Sequence, residues 1–162
     1  MSNSRDQNTF SEACDRNKDP ILEVLKDYFG SSNSVLEIGS GTGQHAVYFS
    51  RHLAWLAWQP SDIFNQITFL EQRCESAGLN NLLAPLALNV FDPWPEMKFD
   101  ALFSANTLHI IPSEGIRAIF SGIAPRIQAG FRVAIYGPFK YEGKYTSASN
   151  ENFDKWLFSR NT

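Results

Sequence analysis

The sequence predicts an α/β fold, a Rossmann-like three-layer sandwich around a mostly parallel sheet. Three observations carry that expectation. Short apolar runs of strand length alternate with longer segments of helical periodicity, the pattern that buries a parallel sheet between helical layers. The first run, Val35-Leu36-Glu37-Ile38, feeds directly into Gly39-Ser40-Gly41-Thr42-Gly43, a turn with glycine at alternate positions. An acid, Asp62, follows the second run 23 residues beyond Gly39, at the end of the sheet where α/β proteins hold their ligands.

Taken in order, residues 1 to about 9 are polar and are expected to be disordered. Asp19-Pro20 reads as a helix start, with Asp19 as cap and Pro20 at the first helical position. Ile21, Leu22, Leu25 and Phe29 then recur at helical spacing until Gly30 closes the segment. Ser34 to Ile38 is the first strand, short and apolar as a buried parallel strand should be. Residues 43 to 53 make the first crossover helix, with Ala46, Val47 and Phe49 turned inward. Leu53 to Gln59 reads as the second strand, stopped by Pro60, and residues 63 to 77 as the second helix, ended by Gly78. Leu82 to Leu88 is the third strand, which admits Pro85 only at an irregular start or a sheet edge. Phe99 to Ala105 is the fourth strand. Ser113 to Gln128 is a helix that Pro125 kinks or ends, and Gly130 breaks before the fifth strand, Phe131 to Tyr136. The aromatic and amide-rich stretch from Tyr136 to Asp154 is either a substrate-pocket loop or an ordinary crossover. The whole of 1–162 reads as a single domain, long enough for a real core.

Composition narrows the function classes. The net charge of −3 argues against a nucleic-acid partner, because proteins that track phosphates carry a basic surface. Cys14 and Cys74 lack metal-ligand or C-x-x-C spacing, which suggests free thiols in a reducing compartment. His45 and His52 have no partners at ligand spacing, so no metal site is expected. Ser2 to Asp19 lacks the apolar core of a signal peptide, and no apolar run is long enough to span a bilayer. A cytoplasmic protein with no membrane partner is the expectation. No Gly-x-Ser-x-Gly elbow marks a hydrolase.

The ends of the strands select candidate site residues without further knowledge. Gly39, Ser40, Gly41, Thr42 and Gly43 form a turn that leaves room for a nucleoside against the backbone, or a purely structural glycine turn. Asp62 can accept both hydroxyls of a ribose, or cap the helix that follows it. Asn89, next to Val90, can bond the amino group of an adenine or serve as a turn residue. Ser104 to His109 follows the fourth strand, with Asn106 facing a cofactor and its reacting group. His109 is a candidate base or a satisfied structural histidine. Glu37 sits inside an apolar strand, where an unpaired charge is costly, and is expected to accept hydrogen bonds from backbone amides of the glycine loop.

The loop is not a dinucleotide fingerprint, since the third glycine of G-x-G-x-x-G falls on Gln44, and it lacks the lysine of a P-loop. Its E-x-G-x-G-x-G pattern resembles the S-adenosylmethionine (SAM) loop of class I methyltransferases. Longer matches sharpen that likeness: Arg16-Asn17-Lys18-Asp19-Pro20-Ile21-Leu22, Glu37 to His45, Trp58-Gln59-Pro60-Ser61-Asp62, Ser104 to His109 and Tyr136-Gly137-Pro138-Phe139, in this order and spacing. Together they are similar to a poorly characterised family of methyltransferase-like proteins found in bacteria and animals. The resemblance runs from about Cys14 to the last residues. It implies that the glycine loop takes the methionine and ribose of SAM, Asp62 the ribose and the Asn89 region the adenine. It also implies that Arg16 and Asn17 close over the cofactor.

Two departures from that family matter. Its members usually carry aspartate where this chain has Asn89. They also continue into another helix and a closing strand pair, so the resemblance implies a sheet lacking its last strand pair, with strand five at an open edge. That edge would invite a homodimer. The reading that follows is a SAM-dependent methyltransferase with an unidentified acceptor. If the acceptor needs deprotonation, His109 or Asp154 is the candidate base. A non-catalytic SAM-binding or interaction protein is the alternative.

Overall fold

A computed structural model describes residues 10–159 of the chain. The expectation for residues 1 to 9 lies outside the described residues. The order is α1 (Glu12–Tyr28), β1 (Ser34–Ile38), α2 (Gln44–His52), β2 (Ala57–Asp62), α3 (Phe64–Ala77), β3 (Leu86–Ala87), β4 (Ala101–Ala105), α4 (Ser113–Ile123), β5 (Arg132–Tyr136), the short pair β6 (Lys140–Tyr141) and β7 (Lys144–Tyr145), and α5 (Ala148–Phe158). β1 to β5 form one parallel sheet in the order β3-β2-β1-β4-β5, so the strand order, built outward on one side of β1, switches to the other side at β4. β6 and β7 make a separate antiparallel hairpin.

Alternation along β1 explains the layers. Val35 points into an apolar cluster with Leu25 of α1, Phe49 of α2 and Leu70 of α3. Leu36 and Ile38 point the other way, against Ile119 and Ile123 of α4. Three helices therefore cover one face and α4 the other. Under the end of β1, Phe49, Trp58 and Phe103 pack with ring centroids 5.4–5.5 Å apart in tilted and edge-to-face pairs.

Three elements differ from expectation in their bounds, each for a physical reason. α1 begins at Glu12, about two turns before Asp19, and Pro20 lies inside it. An interior proline leaves the carbonyl four residues earlier without its helical partner, at about 3 kcal/mol. Tertiary ties offset this, because buried Asn17 Oδ1 accepts from His45 Nε2–H of α2 (2.7 Å) and Tyr48 donates to Asp19. β2 starts at Ala57 and runs through Pro60 instead of stopping before it. Pro60 is tolerated because the third strand departs from the ladder beside it, between the Trp58↔Leu82 bridge and the Ser61↔Leu86 pair. Gln59 Nε2 donates to the carbonyls of Pro60 (3.0 Å) and Ala84 (2.7 Å) in that gap. The third strand is accordingly only Leu86–Ala87, at the sheet edge. The helix from Ser113 stops at Ile123 and tightens into a 3-10 turn at Ala124–Arg126, in line with the expectation that Pro125 kinks or ends it. The stretch after β5 is neither a plain loop nor an irregular crossover: it folds as a hairpin and α5.

Candidate functional site

β1 ends at Ile38 and the chain turns on three left-handed glycines, with φ of 72° at Gly39, 53° at Gly41 and 72° at Gly43. Two of them are also required by packing. A Cβ on Gly39 would stand 2.5 Å from Thr107 Oγ1 and Cγ2, and one on Gly43 2.6 Å from Leu70 Cδ1. A Cβ on Gly41 would meet nothing within 4 Å, because it would project into the cleft.

The loop is fastened from below. Ser40 Oγ–H donates to Glu37 Oε2 (2.9 Å), Trp58 Nε1–H donates to the same oxygen (2.9 Å), and Ser61 N–H donates to Ser40 Oγ (3.1 Å). The expectation that backbone amides would satisfy Glu37 is thereby corrected: its donors are the hydroxyl of Ser40 and the indole of Trp58. The loop amides instead go elsewhere, Ser40 N–H to the Ser61 carbonyl (2.9 Å) and Gly41 N–H to Asp62 Oδ2 (2.7 Å). Burial pushes the Glu37 carboxyl from 4.5 up to about 7, only partly opposed by the Trp58 and Ser40 donors, and the nearby charge of Asp62 raises it further.

A cleft of about 550 Å³ opens above this loop, at the carboxyl ends of β1, β2 and β4. This is the switch point where an open parallel sheet presents its ligand. Of the sequence candidates, Gly39, Ser40, Gly41, Thr42, Asp62, Asn89, Val90 and Asn106 line it. Asp62 faces the loop with its second oxygen held by Ile63 N–H (2.7 Å), and each carboxylate oxygen retains a lone pair for a ligand. Asn89 uses its Oδ1 to accept from Phe91 N–H (3.2 Å), a turn contact that leaves its amide N–H groups available. Asn106 takes φ 55°, uncommon for a side-chain-bearing residue, and is pinned there by donating its N–H to the Tyr136 carbonyl (2.9 Å).

Other candidates lie outside the lining. Glu37 and Gly43 support the loop from beneath. Arg16 is exposed and pairs with Glu12 (3.4 Å), and Asn17 is buried against His45. Asp154 is held by Lys140 Nζ (2.8 Å) and the Tyr145 hydroxyl (2.5 Å). His109 stands beside Gly137 in the turn after β4, and burial lowers its pKa.

Several lining residues escaped the sequence reading. Ser11 and Cys14 bring the first turn of α1 to the cleft, and Ile110 and Ile111 come from the turn after β4, beyond Thr107 of the expected Ser104 to His109 stretch. Ser11 could have been found as a helix cap, since Glu12 follows it in the first turn and its Oγ accepts from Cys14 N–H (3.3 Å). The others carry no local signal. Among the described residues, Asp62 is the one carboxylate in the lining, and no lysine or arginine joins it. His45 also reaches the lining, but burial holds its pKa down to about 4, so it is neutral at physiological pH. Burial pushes the Cys14 thiol up, which makes it a poor nucleophile. Chemically, the lining can accept hydrogen bonds from hydroxyl groups at Asp62 and offers apolar surface at Val90, Phe91 and Ile110.

The profile of a family described as "Protein of unknown function (DUF938)" matches residues 8–162. Among solved structures, an O-methyltransferase family protein from Burkholderia thailandensis superposes with a TM-score of 0.71 at 17% identity, over 88% of this chain and 44% of that one. The SAM-dependent methyltransferase SibL in its apo form gives 0.75 at 20% identity, over 91% and 42%. Human N-acetylserotonin methyltransferase in complex with SAM gives 0.74 at 15% identity, over 90% and 41%. The chain has the class I methyltransferase fold, and it spans less than half the length of these structures.

Proposed function

The chain belongs to the DUF938 family of proteins of unknown function, and we propose that its cleft binds SAM for methyl transfer to an acceptor. One observation carries this reading. Gly41 leaves open space within the cleft while its N–H is fixed on Asp62, so backbone and carboxylate together frame a slot for a nucleoside. The donor set fits the group. Asp62 has lone pairs for ribose hydroxyls, Asn89 offers amide N–H groups, Val90 and Phe91 give an apolar wall for a base, and an acidic cleft suits a cationic ligand.

In this reading the glycine loop and Asp62 bind and orient, Asn106 lies toward the reacting end, and the apolar residues exclude water. A bound SAM supplies the activated methyl group, so the work of the protein is alignment. A second reading, SAM binding without transfer, draws on the placement of the candidate bases: His109 and Asp154 both lie outside the cleft lining.

The test is calorimetric titration of the chain with SAM and S-adenosylhomocysteine, beside Asp62→Ala and Asp62→Asn. Micromolar binding that weakens about tenfold or more in both variants is expected, since a charge-assisted hydrogen bond is lost. No heat from a folded wild type would overturn the proposal.

A further inference from the structure

We propose that Gln44 is a positioning residue of this cleft, a latch that holds the first turn of α1 against the bound cofactor; the inference rests on the SAM reading above. Gln44 does not line the cleft, yet it ties together residues that do. Its Oε1 accepts from the backbone N–H of Ser11 and from the Thr42 hydroxyl (3.0 Å), and its Nε2 donates to the Ser11 carbonyl (3.3 Å). Both ends of one amide are therefore taken by the backbone of one residue, a two-point contact that fixes orientation as well as distance. Ser11 is the cap of α1, and Thr42 belongs to the glycine turn. Ser11, Cys14 and Thr42 all face the cleft.

The rest of α1 is fastened independently of Gln44. Asn17 meets His45, Asp19 meets Tyr48, and Ile21, Leu22 and Leu25 are buried in the core. Loss of the Gln44 contacts would therefore free the first turn while the remainder of the helix stays docked. The position of Gln44 gives the latch a second consequence. In a dinucleotide site the third glycine of G-x-G-x-x-G stands there and lets helix and strand pack closely, with the pyrophosphate at the helix N-terminus. In this chain Gln44 is the first residue of α2, and its side chain draws the start of α1 beside that N-terminus. The start of α1 thus forms a wall of the cleft at this end, beside the glycine turn.

The experiment uses Gln44→Ala, Gln44→Glu and Tyr48→Phe in the full chain, read by S-adenosylhomocysteine titration and by hydrogen exchange of peptides covering residues 11–18. Gln44→Ala is expected to raise Kd about tenfold and to speed exchange at Ser11 to Asp15. Gln44→Glu keeps the acceptor for Ser11 N–H and Thr42 but loses the donation to the Ser11 carbonyl, so its Kd falls between. Tyr48→Phe removes a different α1–α2 bridge and is expected to leave Kd within about twofold of wild type. Wild-type binding that is matched by Gln44→Ala, or weakened equally by Tyr48→Phe, overturns the latch alone. A folded wild type that binds nothing overturns the SAM reading and the latch with it.

Discussion

Replacing Glu37 by glutamine should expose two opposing pH dependences that nearly cancel in the wild type. Glu37 is 2% exposed and holds its carboxyl at about 7, against 4.5 for the free group, chiefly because burial disfavours the charge. The folded protein therefore binds this proton about 2.5 pH units more tightly than the unfolded chain, which corresponds to ~3 kcal/mol. That contribution is fully present below pH 4.5 and is lost as pH rises through about 7. His45 works in the opposite sense. Burial lowers it from 6.5 to about 4, so its contribution is present above pH 6.5 and lost as pH falls through about 4, again ~3 kcal/mol. Between pH 4.5 and 6.5 the two slopes offset each other. Glu37→Gln removes one slope, and the variant should gain ~3 kcal/mol of stability as pH rises from about 4 to 6.5 while the wild type stays nearly level. Urea unfolding followed by tryptophan fluorescence across that range measures it. Parallel stability curves for wild type and variant would refute the assignment of the buried proton to Glu37.

The glycines of the loop should separate by cause. Gly39→Ala combines a φ of 72° with a Cβ 2.5 Å from Thr107, and a loss of roughly 3 kcal/mol is expected in thermal unfolding. Gly41→Ala has the same backbone strain but open space, so it should cost about 1 kcal/mol of stability while impairing SAM titration; equal costs at both positions would show that packing on Thr107 is irrelevant. Asn81 Nδ2 donates to the carbonyls of Ser50 (2.9 Å), Leu53 (3.2 Å) and Leu56 (3.0 Å), closing the end of α2 and the turn after it. Asn81→Ala should lower stability by about 2 kcal/mol and Tm by about 4–8 °C, and an unchanged Tm would show that water takes over these carbonyls.

The order of strands and helices was legible because hydrophobic periodicity is a local property, written over five to fifteen residues at a time. β1, β4 and β5 came within two residues of their observed bounds, and the glycine turn and Asp62 stood out because their spacing reports the end of one strand and of the next. Where local signals and long-range contacts disagreed, the contacts prevailed. Asp19-Pro20 has the form of a helix start, yet contacts with α2 carry α1 back to Glu12. Pro60 has the form of a strand stop, yet the irregular neighbouring strand leaves its missing donor unneeded. Residue type and spacing along the chain were enough for the α/β class, the position of the glycine turn and the acid beside it, all of which the structure places at one cleft. Which side chains satisfy Glu37, and that Ser11 and Cys14 reach the cleft, emerged from the packed fold. It also placed Asp154 and His109 outside the lining, because such contacts join residues tens of positions apart and leave no local periodicity to read.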